Sequence, residues 1–376
     1  MKRSKLIVAA TGGILCSAIV LFSCSKSGSS PNPGGGTGTD PDATLVNLGA
    51  NIIIPSYQSL ATSTVALDAA VTGFYASPAA GTLATAQAAF KSAYKAWEAC
   101  SGFEFGPAAD ASLTTHFTNS FPTDTVTIKN NIGGASYAID GLGNFAAQGF
   151  PALDWLLFGN GNDATLVRFT TDSHAAGAKA YLTALSASLK TKVATVNTAW
   201  SATGGNYLAK FEKASGVDAG SSLSLLLNAY VLDFDVNLQN YKIGIPIGLY
   251  GPSVLPKAPA KVEGYFSALS VQLLVAQVQS IQNIYLGGSG SGIDDKIVAS
   301  KVLYNGGSLN DAIKNQIGVV LTKMQALPDP LSTGIQNNAT TITDAYTEIR
   351  KLTVLLKVDM PSALGIKISF QDDDGD

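Results

Sequence analysis

Apolar residues recur at three- and four-residue steps along most of the chain. Leu83, Phe90, Tyr94 and Trp97 fall on one helical stripe, and Leu223, Leu227, Tyr230, Phe234 and Leu238 on a second. Val262, Phe266, Leu269, Leu273 and Ala276 form a third, and Ile342, Tyr346, Ile349 and Leu352 a fourth. Such stripes mark helices that bury one face. The spacing predicts helices over roughly 44–75, 80–101, 150–158 and 172–201, then roughly 219–243, 259–286, 308–326 and 336–358. Strand-like alternation is confined to Ile366-Lys367-Ile368-Ser369-Phe370. The expected class is all-α. The Gly204-Gly205 break divides it into helical bundles over 43–204 and 205–376, of about four main helices each.

Between the second and third helices lies a stretch over 105–149, rich in Gly, Thr and Asn. A connection that long inside a domain tends to be functional or disordered. Its aromatics, Phe117, Phe121, Tyr137 and Phe145, point to an ordered, packed loop. Gly287-Gly288-Ser289-Gly290-Ser291-Gly292 lacks the Lys-Ser/Thr of a phosphate loop and is expected to be a flexible helix connection.

The N-terminus has a different character. Lys2, Arg3 and Lys5 precede an apolar run from Leu6 to Phe22, the layout of a bacterial secretory signal over 1–23. Leu21-Phe22-Ser23-Cys24 resembles a lipobox, which makes Cys24 the expected lipidation site and membrane attachment point. Residues 24–42 then form a flexible linker rich in Ser, Gly and Pro. The expected location is the bacterial cell envelope, at the outer membrane on its periplasmic or surface face. Signal removal takes three of the 24 basic residues and none of the 27 acidic ones, moving the formal charge from −3 to −6. That balance excludes a nucleic-acid partner. Of three cysteines only Cys100 stays in the folded body, so no internal disulfide forms there, and its simplest role is a small buried hydrophobe.

Candidate chemistry is sparse. Only two histidines exist, and His174 follows Thr171-Asp172-Ser173 as part of a helix start. The terminal Asp372-Asp373-Asp374-Gly375-Asp376 lacks the later ligands of a calcium loop and reads as a solvated tail. Asp233 sits among apolar residues, where a carboxylate is costly unless paired, so it either flanks a polar pocket or lies on the bundle surface. Arg350 beside the Ile349 stripe is a candidate counter-charge for such acids.

One segment is more specific. Gly149-Phe150-Pro151-Ala152-Leu153-Asp154-Trp155-Leu156-Leu157-Phe158-Gly159 resembles the signature of the imelysin-like family, Gly-x-His-x-x-Glu followed by apolar residues. Ala96-Trp97-Glu98 through Phe103-Glu104-Phe105-Gly106-Pro107, Ile281-Gln282-Asn283-Ile284-Tyr285-Leu286-Gly287 and Leu355 to Ile366 also resemble that family, in the same order. The resemblance implies two helical bundles, an exported or anchored protein, and a site near their junction. It also implies a role in bacterial iron uptake, with iron as the implied cofactor, while some members are classed as metallopeptidases. In the family pattern the i and i+3 side chains share a helix face and could hold one metal between them. Here Gly149 matches, but Pro151 stands at the histidine position and Asp154 at the glutamate position, so no metal site is secure. Pro151 and Asp154 fit a plain helix start, or Asp154 keeps a binding role.

These readings converge on a lipid-anchored, non-catalytic, monomeric binding protein for iron or nutrient acquisition. Its small ligand or transport partner would meet Asp154, Trp155, Glu104, Asp233 and Arg350. The alternatives are a metallopeptidase-like hydrolase working through carboxylates and a helical glycan-binding lipoprotein.

Overall fold

A computed structural model describes residues 42–250 and 253–370. The signal sequence, Cys24, nearly all of the linker and the acidic tail at 371–376 lie outside the described residues. Eight main helices carry the fold: α1 (Ile54–Ala76), α2 (Ala80–Glu98), α3 (Gly149–Phe158), α4 (Ala175–Trp200), α5 (Ser222–Leu232), α6 (Ser270–Leu286), α7 (Leu309–Gln325) and α8 (Ala339–Val354). Each corresponds to one of the eight helices expected from the sequence, and the class is all-α.

In the N-terminal half α1 packs against α2 and α4, and α3 fills the space between α2 and α4. Residues Gly149 to Leu157 of α3 are all buried, which explains why this short helix is apolar all round rather than striped. In the C-terminal half α6 packs on α7, and α7 on α8. The halves meet where α6 crosses α2 and where a 3-10 turn, Ser101–Phe103, lies against α5. One continuous apolar core runs through both.

Helix α5 does not stop at Leu232. It widens into a π-helical stretch, Asp233–Gly244, packed against α6 and α8. Ten of its twelve residues are buried, including Asp233, Asp235, Asn237, Gln239, Asn240 and Lys242. A π-stretch is rare and favours functional sites, and here it carries a run of buried polar groups that apolar periodicity does not register.

Three expectations are corrected. The helix expected over 259–286 begins only at Ser270. Pro259 opens a 3-10 turn, and Gly264 and Ala268 take positive φ (58° and 55°), so Val262 and Phe266 lie on an irregular turn. The segment Ile366 to Phe370 pairs with no strand among the described residues. The Asn228 side chain supplies that partnership, accepting from Ser369 N at 2.7 Å and donating to Lys367 O at 3.1 Å. The glycines over 287–292 form a tight turn clasping Asn47, whose Nδ2 donates to Gly287 O and Ser291 O at 2.8 and 2.9 Å.

The stretch over 105–149 is ordered, as its aromatics suggest, through short helices Pro107–Asp110, Thr115–Thr118 and Thr125–Ile132 and a 3-10 turn, Leu142–Ala147. Phe117, Phe121, Tyr137 and Phe145 do not join the core, however, whereas Phe105 does. Phe145 stacks on His116 with ring centroids 4.9 Å apart, and both rings border open space.

Candidate functional site

The family-like segment places its residues on different sides of α3. Gly149 has φ +67°, and a Cβ there would sit 2.0 Å from the Thr118 carbonyl oxygen, so only glycine fits. It is the first residue of α3, one earlier than the expected start at 150, which makes Pro151 the third and Asp154 the sixth. Pro151 still lies in the first turn, where no N–H partner is lost. Asp154 is too far along for a first-turn charge.

Asp154 instead holds the irregular turn of the opposite half. Its two carboxylate oxygens accept from Phe266 N and Ser267 N at 2.9 and 3.0 Å. Burial pushes its carboxyl up to about 6, against the opposing pull of those Ser267 and Phe266 donors. With Pro151 it borders a cavity of only about 100 Å³. Trp155 faces elsewhere, toward a depression of about 300 Å³, under the Arg168 guanidinium at 4.0 Å from the ring centroid. Arg350 is exposed on α8 and makes no ion pair with Asp154, Glu104 or Asp233, so it is not the counter-charge of this region.

That counter-charge is Lys242. Its Nζ lies 2.6 Å from Glu98 Oε2 at the end of α2 and 2.8 Å from Glu263 Oε2 on the irregular turn. None of the three side chains is more than 2% exposed. Burial alone would push the Lys242 ammonium down, but Glu263, Glu98 and Asp233 outweigh it and hold the lysine charged. Burial drives the Glu98 carboxyl well above its usual range, with Glu263 adding to the rise and Lys242 opposing it. Asp233, 1% exposed, resolves its two sequence-level alternatives in favour of the interior. It accepts from Ser101 Oγ (3.0 Å), Asn237 Nδ2 (3.2 Å) and Gln277 Nε2 (2.8 Å), and burial raises its carboxyl pKa.

Above this network opens a cleft of about 480 Å³. Glu104, Thr115, Asn119, Ser120, Asn237 and Lys261 supply its polar lining, and His116, Phe121, Phe145 and Tyr241 its aromatic walls. Two amides connect the cleft to the charges. Asn119 Nδ2 donates to Glu263 Oε1 at 2.5 Å while its Oδ1 accepts from Tyr94 OH at 2.6 Å. Asn237 bridges Asp233 and Thr115 Oγ1, the latter at 3.2 Å. Glu104 Oε1 accepts from both Thr115 N (2.7 Å) and Thr115 Oγ1, which leaves Oε2 available to the cleft. Burial pushes the Glu104 carboxyl up to about 8, although the Thr115 hydroxyl opposes the shift. At neutral pH it is therefore mostly a neutral acid, able to donate as well as accept.

This has a consequence for pH. A carboxyl raised in the fold from 4.5 to about 8 binds its proton more tightly folded than unfolded. The stability it contributes is complete below pH ~4.5 and disappears as pH climbs to ~8. Denaturant midpoints are expected to fall between pH 6 and 8 in the wild type and to fall much less in Glu104→Gln, which stays neutral throughout.

Glu104 and Asp233 thus belong to one region, Asp154 braces its edge, and Trp155 and Arg350 stand outside it. Lys242, Glu98, Glu263, Asn119, Asn237 and the aromatic walls escape a search for catalytic motifs. The available signal was the run Asp233-Phe234-Asp235-Val236-Asn237-Leu238-Gln239-Asn240-Tyr241-Lys242, polar within strongly apolar flanks.

Fold and cleft together define an all-helical protein with a polar, aromatic-walled cleft where its two helical halves meet. The chain belongs to the imelysin family (peptidase M75), whose model matches residues 53–356. Among solved structures it is similar to an iron-regulated protein A precursor from Parabacteroides distasonis, at 20% identity and a TM-score of 0.67 over 86% of this chain and 94% of that one. It is also similar to an imelysin-like protein from Psychrobacter arcticum, at 17% identity and a TM-score of 0.64 over 87% and 96%. At such identities the likeness shows the fold. No curated protein sequence matches the chain.

The residues do not fit a metal held as in the family motif. Proline replaces the histidine, and both Asp154 oxygens are engaged by backbone N–H groups. Among the described residues no three His, Cys, Asp or Glu side chains are grouped to hold a metal ion.

Proposed function

We propose that this protein is an exported, lipid-anchored member of the imelysin family that captures a small organic ligand in the junction cleft. In this reading it serves iron or nutrient acquisition at the bacterial outer membrane as a monomer, without breaking bonds. The observation that carries it is the cleft itself, an aromatic-walled space with a neutral Glu104 and two fixed amides. Such a lining suits a ligand with a planar or ring face and hydroxyl or carbonyl groups. The carboxylates that a hydrolase would use to activate water are instead committed to Lys242 or to backbone donors. The name of the Parabacteroides relative and the family resemblance support the iron connection, so hydroxyaromatic iron chelates and haem are the first ligands to titrate.

Calorimetric titration of those ligands tests the reading. Asn237→Ala and Phe145→Ala are each expected to weaken binding roughly tenfold, the equivalent of one hydrogen bond or one stacking contact. Binding that both variants leave unchanged would place the ligand elsewhere. A positive response to free oligosaccharides would turn the reading toward the glycan-binding alternative. Chelator-sensitive cleavage of a denatured polypeptide would favour a hydrolase. Lipid anchoring is tested separately: Cys24→Ala is expected to move the protein from the membrane fraction to the soluble one, and an unchanged distribution would rule out attachment through Cys24.

A further inference from the structure

The buried junction holds more carboxylate than its lysine balances. Glu98, Glu263 and Asp233 all act on the Lys242 ammonium, and the first two clasp it from opposite halves of the fold at 2.6 and 2.8 Å. Glu98 is wholly buried, yet its Oε1 has no hydrogen-bond partner. That oxygen is an open acceptor inside a region already rich in negative charge. We propose that Glu98 and Glu263 form a divalent-cation site that this chain keeps shut, with the Lys242 ammonium as its resident cation.

The geometry supports the exchange. Ammonium contacts of 2.6–2.8 Å exceed the roughly 2.0–2.6 Å of oxygen ligands on Mg²⁺ or Ca²⁺, so each glutamate needs to close in by only a few tenths of an ångström. The charge also favours it, since two positive charges balance this set of carboxylates better than one. All candidate donors are oxygens, which selects hard ions such as Mn²⁺ or Ca²⁺ over zinc. Water entering the space left by the lysine stem would complete the coordination. In the native chain the ammonium occupies that position, so metal is excluded and recognition is left to the cleft above.

The test uses the full chain in detergent with Mn²⁺ or Ca²⁺ as probe, read by calorimetry, by electron paramagnetic resonance of bound Mn²⁺, and by thermal melting. Wild type is expected to show no saturable site and no shift in melting temperature. Lys242→Ser is expected to bind one equivalent and to melt roughly 5 °C higher in excess metal. Adding Glu98→Gln to that variant should abolish both effects. The melt with and without metal keeps the test decisive even if Lys242→Ser folds poorly, since metal should then restore a cooperative transition. Two results would overturn the proposal: a Lys242→Ser protein indifferent to both ions, whether folded or not at the outset, or a wild type that binds one equivalent and loses it in Glu98→Gln.

Discussion

Replacing Lys242 with methionine is expected to destabilise the fold by about 3–5 kcal/mol, the range for removing one partner of a buried ion pair. Methionine keeps most of the volume of the lysine stem, so little of that loss is a cavity. The loss comes from Glu98 and Glu263, which would face each other in the interior without the ammonium at 2.6 and 2.8 Å. The triple variant Glu98→Gln, Lys242→Met, Glu263→Gln is expected to recover much of the stability, because a neutral polar set costs less than an uncompensated charge. The single variant should also gain stability as pH falls, since protonating Glu98, whose carboxyl burial already pushes up, removes the repulsion. Urea midpoints for the three proteins at pH 5 and 7.5 check all of this. Equal midpoints for wild type and Lys242→Met would show that the lysine does not pair as described.

Gly149→Ala carries the second large effect, about 2–5 kcal/mol, from a left-handed backbone that costs alanine about 1–2 kcal/mol and from overpacking at about 1–3 kcal/mol. The added methyl would meet Thr118 O at 2.0 Å, Thr118 C at 2.5 Å and Thr118 Cα at 2.9 Å, all backbone atoms that cannot swing aside. The helix Thr115–Thr118 would have to move, and with it Thr115, His116 and neighbouring Asn119, all of which line the cleft. Ligand affinity should therefore fall together with the denaturation midpoint. A stable Gly149→Ala protein with unchanged affinity would contradict this tight approach. The glycine of the family-like segment is thus explained by backbone contact rather than by chemistry.

The helices were legible because a buried face imposes a 3.6-residue period whatever the partners are. The same rule misled over 259–286, where Val262 and Phe266 continue the stripe of α6 although Gly264 and Ala268 turn the backbone out of the helix. Two short hairpins were also missed. One turns at Asn305-Gly306, where φ values of 49° and 82° suit the tight two-residue turn that Asn-Gly favours. Asp233 could be suspected from a carboxylate set in apolar surroundings, and Glu104 from its place in the family-like Phe103-Glu104-Phe105-Gly106-Pro107. Their partners could not, because Glu98, Lys242 and Glu263 stand 144 and 21 residues apart along the chain and meet only when α6 crosses α2. Asp154 was legible as a special position, yet its role depends on two backbone N–H groups 112 and 113 residues away. No local pattern announces such a contact.

The central claim is that recognition lies in the cleft while Lys242 occupies the space between Glu98 and Glu263 and keeps metal out. The most direct measurement is native mass spectrometry together with elemental analysis on one preparation isolated from its native cells. The account predicts an organic ligand released on denaturation, diminished in Asn237→Ala, and metal well below one equivalent beyond any carried by the ligand. One equivalent of metal that survives dialysis, disappears in Glu98→Gln and comes with no organic ligand would contradict it.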